Sequence, residues 1–170
     1  PAATRHGVAV MNTPQGNTVT TAEHTISMMM ALARNIPQAT ASMKAGKWEK
    51  NKFMGNELCN KTLGIVGTGR IGMATARIAL ALGMKVIAYD AYPDRTCETE
   101  DFRYGELDQL YAESDVISLH CPLLPSTAGM INKTSIARMK DGVILINTSR
   151  GPLIVDTDLA EALNSGKIYA

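Results

Sequence analysis

From residue 62 onward, short apolar runs alternate with segments of helical periodicity. Leu63–Val66, Lys85–Tyr89, Val116–Leu119 and Gly142–Ile146 are each apolar at nearly every position. A strand that is apolar on both faces belongs inside a parallel sheet covered by helices on both sides. The segments between them read as helices. These are Arg70–Leu82, ended by Gly83; Leu107–Ala112; Ile136–Met139; and Asp156–Leu163, ended by Gly166. Lys167–Ala170 reads as the start of a fifth strand. The alternation predicts an α/β fold with a doubly wound parallel sheet.

The first 60 residues follow another pattern. Gly7–Met11 reads as a short strand, and Asn12–Asn17 as a loop with a chain-breaking residue at almost every position. Thr20 or Thr21 is placed to cap a helix with Glu23 and His24 in its first turn. Ile26, Met29, Met30 and Ala33 recur at helical spacing and give it an apolar stripe. Asn35 and Pro37 interrupt that helix, and a second one runs to Lys44 and stops at Gly46. Asn56–Lys61 is a polar linker. The chain therefore divides into residues 1–60, a strand, helices and linker, and residues 61–170, a nucleotide-binding domain incomplete at its carboxyl end. Met28, Met29 and Met30 cover several helix faces at once, which leaves one face for a partner subunit.

Composition narrows the function classes. The 170 residues are 45% hydrophobic and 19% charged, with a formal net charge of +1, as expected of a globular chain. No basic run supports a nucleic-acid partner. No apolar stretch approaches the roughly 18 residues that a membrane span needs. Cys59, Cys97 and Cys121 are odd in number and widely spaced, which suits reduced thiols in the cytoplasm and neither a disulfide framework nor a zinc site. The chain opens at Pro1 without a methionine or a signal-like segment, so a piece of something longer is expected.

Candidate chemistry lies at the carboxyl ends of the strands. Gly67-Thr68-Gly69-Arg70-Ile71-Gly72 is a G-x-G-x-x-G sequence placed directly after a strand and opening a helix. Gly67 permits the tight turn, Gly69 lets backbone approach a pyrophosphate, and Gly72 lets helix and strand pack closely. The helix amides and positive dipole end then meet phosphate charge. Asp90 follows 18 residues after Gly72, at the end of the next strand, where its carboxylate can accept the adenosine ribose hydroxyls and repel a 2′-phosphate. A Rossmann-type sheet binding NAD is thus expected, with Arg95 the one nearby residue suited to NADP. Two loops flank this cradle. His120–Thr127 is stiffened by two prolines, and His120 reads as a structural histidine rather than a proton donor. In the other, Asn147–Pro152, Arg150 stands just past a buried strand before Gly151-Pro152. Its planar guanidinium suits bidentate grip of a 2-oxo acid carboxylate and stabilisation of negative charge on the carbonyl oxygen.

Together these residues resemble the D-2-hydroxyacid dehydrogenase family. The likeness runs through "MNTPQGNTVTTAEHTISMMMALARN", "LGIVGTGRIG", "YD", "HCPLLPST" and "NTSRGPLIVD". The first stretch is similar to members that oxidise 3-phosphoglycerate in serine biosynthesis, and the later ones also to members that reduce hydroxypyruvate. By the resemblance, Arg150 is the catalytic, substrate-binding arginine. Gly67, Gly69, Arg70, Ile71, Gly72 and Asp90 bind NAD, and Cys121, Pro122, Thr148 and Ser149 line the cofactor cleft. Thr68 departs from the apolar residue common inside the fingerprint. The region 18–33 corresponds to a dimer-forming segment, which implies a homodimer or higher oligomer. The family's general acid/base histidine, its glutamate and the substrate lid would lie outside this chain, since none of His6, His24 or His120 fits that histidine's motif. The resemblance thus implies an enzyme acting on a small 2-hydroxy or 2-oxo acid, of which this piece binds NAD without turnover. Relatives resembling corepressors use the same fold as a non-catalytic NAD sensor, which is the rival reading.

Overall fold

The computed structural model describes residues 2–170. Its centre is β1 (Thr62–Val66), which pairs in parallel with β2 (Lys85–Tyr89) on one side and β4 (Val116–Leu119) on the other. β3 (Phe102–Tyr104) and β5 (Ile144–Asn147) complete a five-stranded parallel sheet of order β3-β2-β1-β4-β5. Registers run Val66 beside Tyr89 and Leu119, and Leu119 beside Asn147, so the carboxyl ends of β1, β2, β4 and β5 share one edge. The expected doubly wound sheet is present.

The two-residue period of the strands sorts the core. Leu63, Ile65, Val86, Ala88, Val116, Ile144 and Ile146 join one buried cluster, capped by Met29 and Ala33 of α2 (Thr18–Ala33) and by Ala76 and Ala79 of α4 (Arg70–Ala81). Val66, Ile87, Ile117 and Leu119 join the other, with residues of α5 (Leu107–Glu113), α6 (Lys133–Arg138) and α7 (Asp156–Ser165). Each fully buried aliphatic side chain contributes about 1.5–3 kcal/mol. Small residues set the layer spacing. A Cβ on Gly72 would collide with the Gly67 carbonyl oxygen, so α4 lies directly on the turn that follows β1. At the opposite edge Asp115 clips three strands: Oδ2 accepts the Thr62 N–H at 2.8 Å and Oδ1 accepts Lys140 Nζ at 3.0 Å, just before β5.

Several expectations need correction. Gly7–Met11 is not a strand. A single-turn helix, α1 (Ala2–Arg5), precedes an irregular segment in which Val8, Val10 and Met11 are 57%, 79% and 89% exposed. Apolar residues make a strand only where a neighbour receives their hydrogen bonds, and here none does. α2 starts at Thr18 after Asn17, ahead of the expected threonine caps. α3 (Ile36–Lys44) follows it across the left-handed Asn35, with Pro37 in its first turn as expected. β3 escaped the pattern because Arg103 and the flanking Glu100 and Asp101 break its apolar run. α6 begins before Ile136, at a reciprocal cap in which Asn132 and Ser135 bond each other's backbone N–H. Lys167–Ala170 does begin to pair in parallel beside β5, with Ile168 opposite Val143 and backbone bonds from Gly142, Tyr169 and Leu145, but it is too short to count as a full strand.

Two predictions follow from this framework. Burial raises the Asp115 pKa, but the Thr62 N–H and the Lys140 ammonium outweigh it and hold the carboxyl below its ordinary range. A depressed folded-state value means stabilisation that is complete above the ordinary value of about 3.9 and is lost as pH falls through the lower folded one. Urea midpoints from pH 7 to pH 3 should therefore decline more steeply for wild type than for Asp115→Asn. In the second, Gly72→Ala should destabilise by about 1–3 kcal/mol in urea unfolding. Gly69→Ala, where a Cβ meets open space, should stay within about 0.5 kcal/mol of wild type.

Candidate active site

The phosphate cradle is built where β1 ends. Gly67 takes φ +97°, outside the range of ordinary residues, and its N–H donates to the Tyr89 carbonyl at 2.8 Å. A Cβ there would sit 2.8 Å from the Cys121 nitrogen. Gly69 flanks the start of α4 in extended conformation, with empty space where a side chain would be. The first amides of that helix, at Arg70, Ile71 and Gly72, have no partner within it. Thr68, Gly69 and Arg70 border a cavity of about 530 Å³ whose far wall is Gln15, Thr18 and Val19. The open space at Gly69 and the unpaired amides fit a pyrophosphate, and this is the fold's dinucleotide position. The Arg70 guanidinium donates to the Pro14 carbonyl and ties the 12–17 loop across the cradle. Ile71 is half-buried within α4.

Asp90, at the end of β2, turns back toward the cradle. Its Oδ2 accepts the Thr68 N–H at 2.7 Å and the Thr68 hydroxyl at 3.1 Å, while Oδ1 accepts the Tyr92 N–H at 2.9 Å. Burial raises its pKa, but the bonds from Thr68 and Tyr92 prevail and hold it below the usual carboxylate range. The charge that would meet ribose hydroxyls is therefore present at neutral pH. Sequence reasoning noted Thr68 only as a departure and missed its hydroxyl as an Asp90 partner. The signal was a hydroxyl residue inside a glycine fingerprint.

The loop after β4 closes the next side. The His120 N–H donates to the Val66 carbonyl at 2.7 Å, which seats the following Cys121 beside Gly67. Burial pushes the Cys121 thiol pKa up, and Sγ lies 3.7 Å from Met130 Sδ. Pro122 is exposed, and the Thr127 hydroxyl, donating to its carbonyl at 2.7 Å, pins the loop. Burial lowers the His120 pKa to about 4, and Nε2 lies 2.9 Å from Ser118 Oγ. Its imidazole is therefore not an imidazolium acid at pH 7 and is only a weak base.

The loop after β5 is fixed from both sides. Asn147 accepts the Ser149 N–H at 3.0 Å and donates to the Arg150 carbonyl at 2.9 Å. Thr148 Oγ1 meets Thr25 Oγ1 of α2 at 2.9 Å. Gly151–Leu153 then form one tight turn containing Pro152. Arg150 is left exposed, with Nη1 donating to the Ser149 carbonyl at 2.9 Å and no ion pair among the described residues. A groove of about 580 Å³ separates the loop from α2 and is lined by Thr148, Ser149 and, unanticipated, His24. The exposed His6 is not among the residues lining this groove or the cradle cavity. The arrangement offers amides for phosphate, a carboxylate for a diol and a guanidinium for a carboxylate along one sheet edge. Among the described residues no set of three or more His, Cys, Asp or Glu side chains forms a metal site, and no helix is long and apolar enough to cross a membrane.

Residues 26–170 match the family described as D-isomer specific 2-hydroxyacid dehydrogenase, NAD binding domain. A hydroxypyruvate reductase of Blautia hydrogenotrophica is 49% identical over an alignment that covers 96% of this chain and 53% of that protein. A D-3-phosphoglycerate dehydrogenase of Archaeoglobus fulgidus is 46% identical over 99% of this chain and 32% of its own length. The crystal structure of a D-lactate dehydrogenase with NAD+ from Lactobacillus jensenii superposes with a TM-score of 0.87 at 39% identity, over 99% of this chain and 51% of that one. The chain thus spans about half the length of the first relative and about a third of the second. It belongs to the D-isomer specific 2-hydroxyacid dehydrogenase family and carries that family's NAD-binding domain.

Proposed function

We propose that the protein works as a dehydrogenase of 3-phosphoglycerate, interconverting it with 3-phosphohydroxypyruvate at the expense of NAD. The observation that carries the reading is Arg150, an exposed guanidinium without an ion-pair partner on a loop braced by Asn147, Thr148 and Pro152. Its fork holds the substrate carboxylate and sets the C2 carbon against the nicotinamide. The same charge steadies the C2 oxygen as it gains negative character. The amides around Gly67, Gly69, Arg70, Ile71 and Gly72 hold the pyrophosphate, Asp90 takes the ribose diol, and Cys121, Pro122, Thr148 and Ser149 line the cleft. Bound NAD supplies the hydride acceptor.

Burial lowers the basicity of His120 to a pKa of about 4 and its ring nitrogen faces Ser118, so it is a poor acceptor for the C2 hydroxyl proton. As the family resemblance implies, that proton goes to a histidine elsewhere in the intact protein, and these 170 residues alone bind NAD without turnover. Exposed Ile36, Met43, Trp48 and Met54, on and after α3, support a homodimer. A second reading, hydroxypyruvate as substrate, is favoured by relatives of that name at 49% and 51% identity.

In the intact protein, kcat/KM for 3-phosphoglycerate should exceed that for D-glycerate, and the reverse order would install the second reading. Arg150→Lys should lower kcat/KM by about 10²–10³-fold while leaving NAD affinity within about threefold. Equal losses in both would reduce Arg150 to a cofactor contact. Asp90→Ala should weaken NAD by about tenfold or more in calorimetric titration, because a charged hydrogen-bond acceptor is lost. An unchanged NAD affinity would remove Asp90 from the cofactor site.

A further inference from the structure

We propose that Thr68 and Tyr104 form a hydroxyl relay that positions the Asp90 carboxylate and so sets the preference for an unphosphorylated adenosine ribose. The inference rests on the assignment of Asp90 to that ribose. Tyr104, on the edge strand β3, is 7% exposed, and its hydroxyl donates to Thr68 Oγ1 at 3.0 Å. Thr68 Oγ1 in turn reaches Asp90 Oδ2 at 3.1 Å. The order of donors is forced. An ionised carboxylate only accepts, so the single Thr68 proton goes to Asp90, and the Thr68 oxygen is left to accept from Tyr104.

The relay also fixes which oxygen is available. Each carboxylate oxygen has two lone pairs. Those of Oδ2 are taken by the Thr68 N–H and hydroxyl, whereas Oδ1 holds only the Tyr92 N–H. One acceptor direction on Oδ1 is left for a diol. Burial raises the Tyr104 pKa, so the phenol keeps its proton. Apart from Thr68, its oxygen meets only weaker partners, Cys97 Sγ at 3.9 Å and the Asp94 backbone. A buried phenol that lost Thr68 would lose its one short hydrogen bond, which gives the chain of bonds a preferred state. With an apolar residue at position 68 the carboxylate would keep its two backbone N–H bonds, from residue 68 and Tyr92, and lose the hydroxyl and the buried phenol behind it. Its orientation would then be held less firmly, the diol would have to complete its ordering on binding, and a 2′-phosphate would be discriminated against less. Thr68 and Tyr104 are positioning residues, since both act through Asp90.

The test is calorimetric titration of the chain with NAD and with NADP, for wild type, Thr68→Val, Thr68→Ser, Tyr104→Phe and Asp90→Ala, with circular dichroism reporting folding. Thr68→Val and Tyr104→Phe should each weaken NAD about three- to tenfold and leave NADP unchanged or tighter, so that the NAD preference falls. Thr68→Ser, which keeps the hydroxyl, should restore it. Should Thr68→Val fail to fold, Tyr104→Phe, which removes one oxygen atom, decides alone. Loss of NAD and NADP affinity in equal measure, or no change in either, overturns the relay. If Asp90→Ala shifts the preference while the hydroxyl variants do not, the relay alone is rejected. If Asp90→Ala also leaves it unmoved, the ribose assignment fails and the relay with it.

Discussion

At Gly67 the ends of three strands meet backbone to backbone. Its N–H reaches the Tyr89 carbonyl, the Val66 carbonyl takes the His120 N–H, and a Cβ would fall 2.8 Å from the Cys121 nitrogen. No side chain fits at this crossing, and the rest of the site inherits its geometry. β2 is held close enough for Asp90 to reach Thr68, and the loop after β4 is drawn in beside the cradle. α4 can start immediately because Gly72 is equally bare. A parallel sheet supplies the shared edge, and glycine at this point closes it into a binding surface.

The Arg150 loop is positioned by different means. It has no such backbone crossing and depends on side chains instead, Asn147 bonding forward to Ser149 and Arg150, and Thr148 bonding across to Thr25. α2 is therefore a structural part of the site as well as a cover for the sheet, because it braces the loop that carries the guanidinium. The glycine cradle and the Arg150 loop rest on separately fixed supports along one edge.

Much of this was legible in the residues. β1, β2 and β4 announced themselves as apolar runs, and the G-x-G-x-x-G sequence and Asp90 marked two turns that the fold brings into hydrogen-bond contact. What stayed hidden depended on pairing that a linear pattern does not carry. β3 is three residues long with an arginine at its centre, so only its neighbour β2 makes it a strand. Gly7–Met11 is an apolar run without a strand neighbour, so it is not one. The Asn132–Ser135 cap was written in the sequence and passed over in favour of the apolar Ile136. Thr68 showed as an anomaly, but its partner Tyr104 lies 36 residues away on the unrecognised strand. A side-chain relay between two elements is invisible until both are known.

The Thr25–Thr148 bond joins residues 123 positions apart. On a ribosome adding about 5–20 residues per second, α2 emerges roughly 6–25 s before the loop it braces. Throughout that interval its apolar stripe, with Met29 and Ala33 destined for full burial, has no β5 to cover it. The nascent chain therefore carries a sticky helix throughout that interval, and chaperone contact during translation falls naturally on this segment.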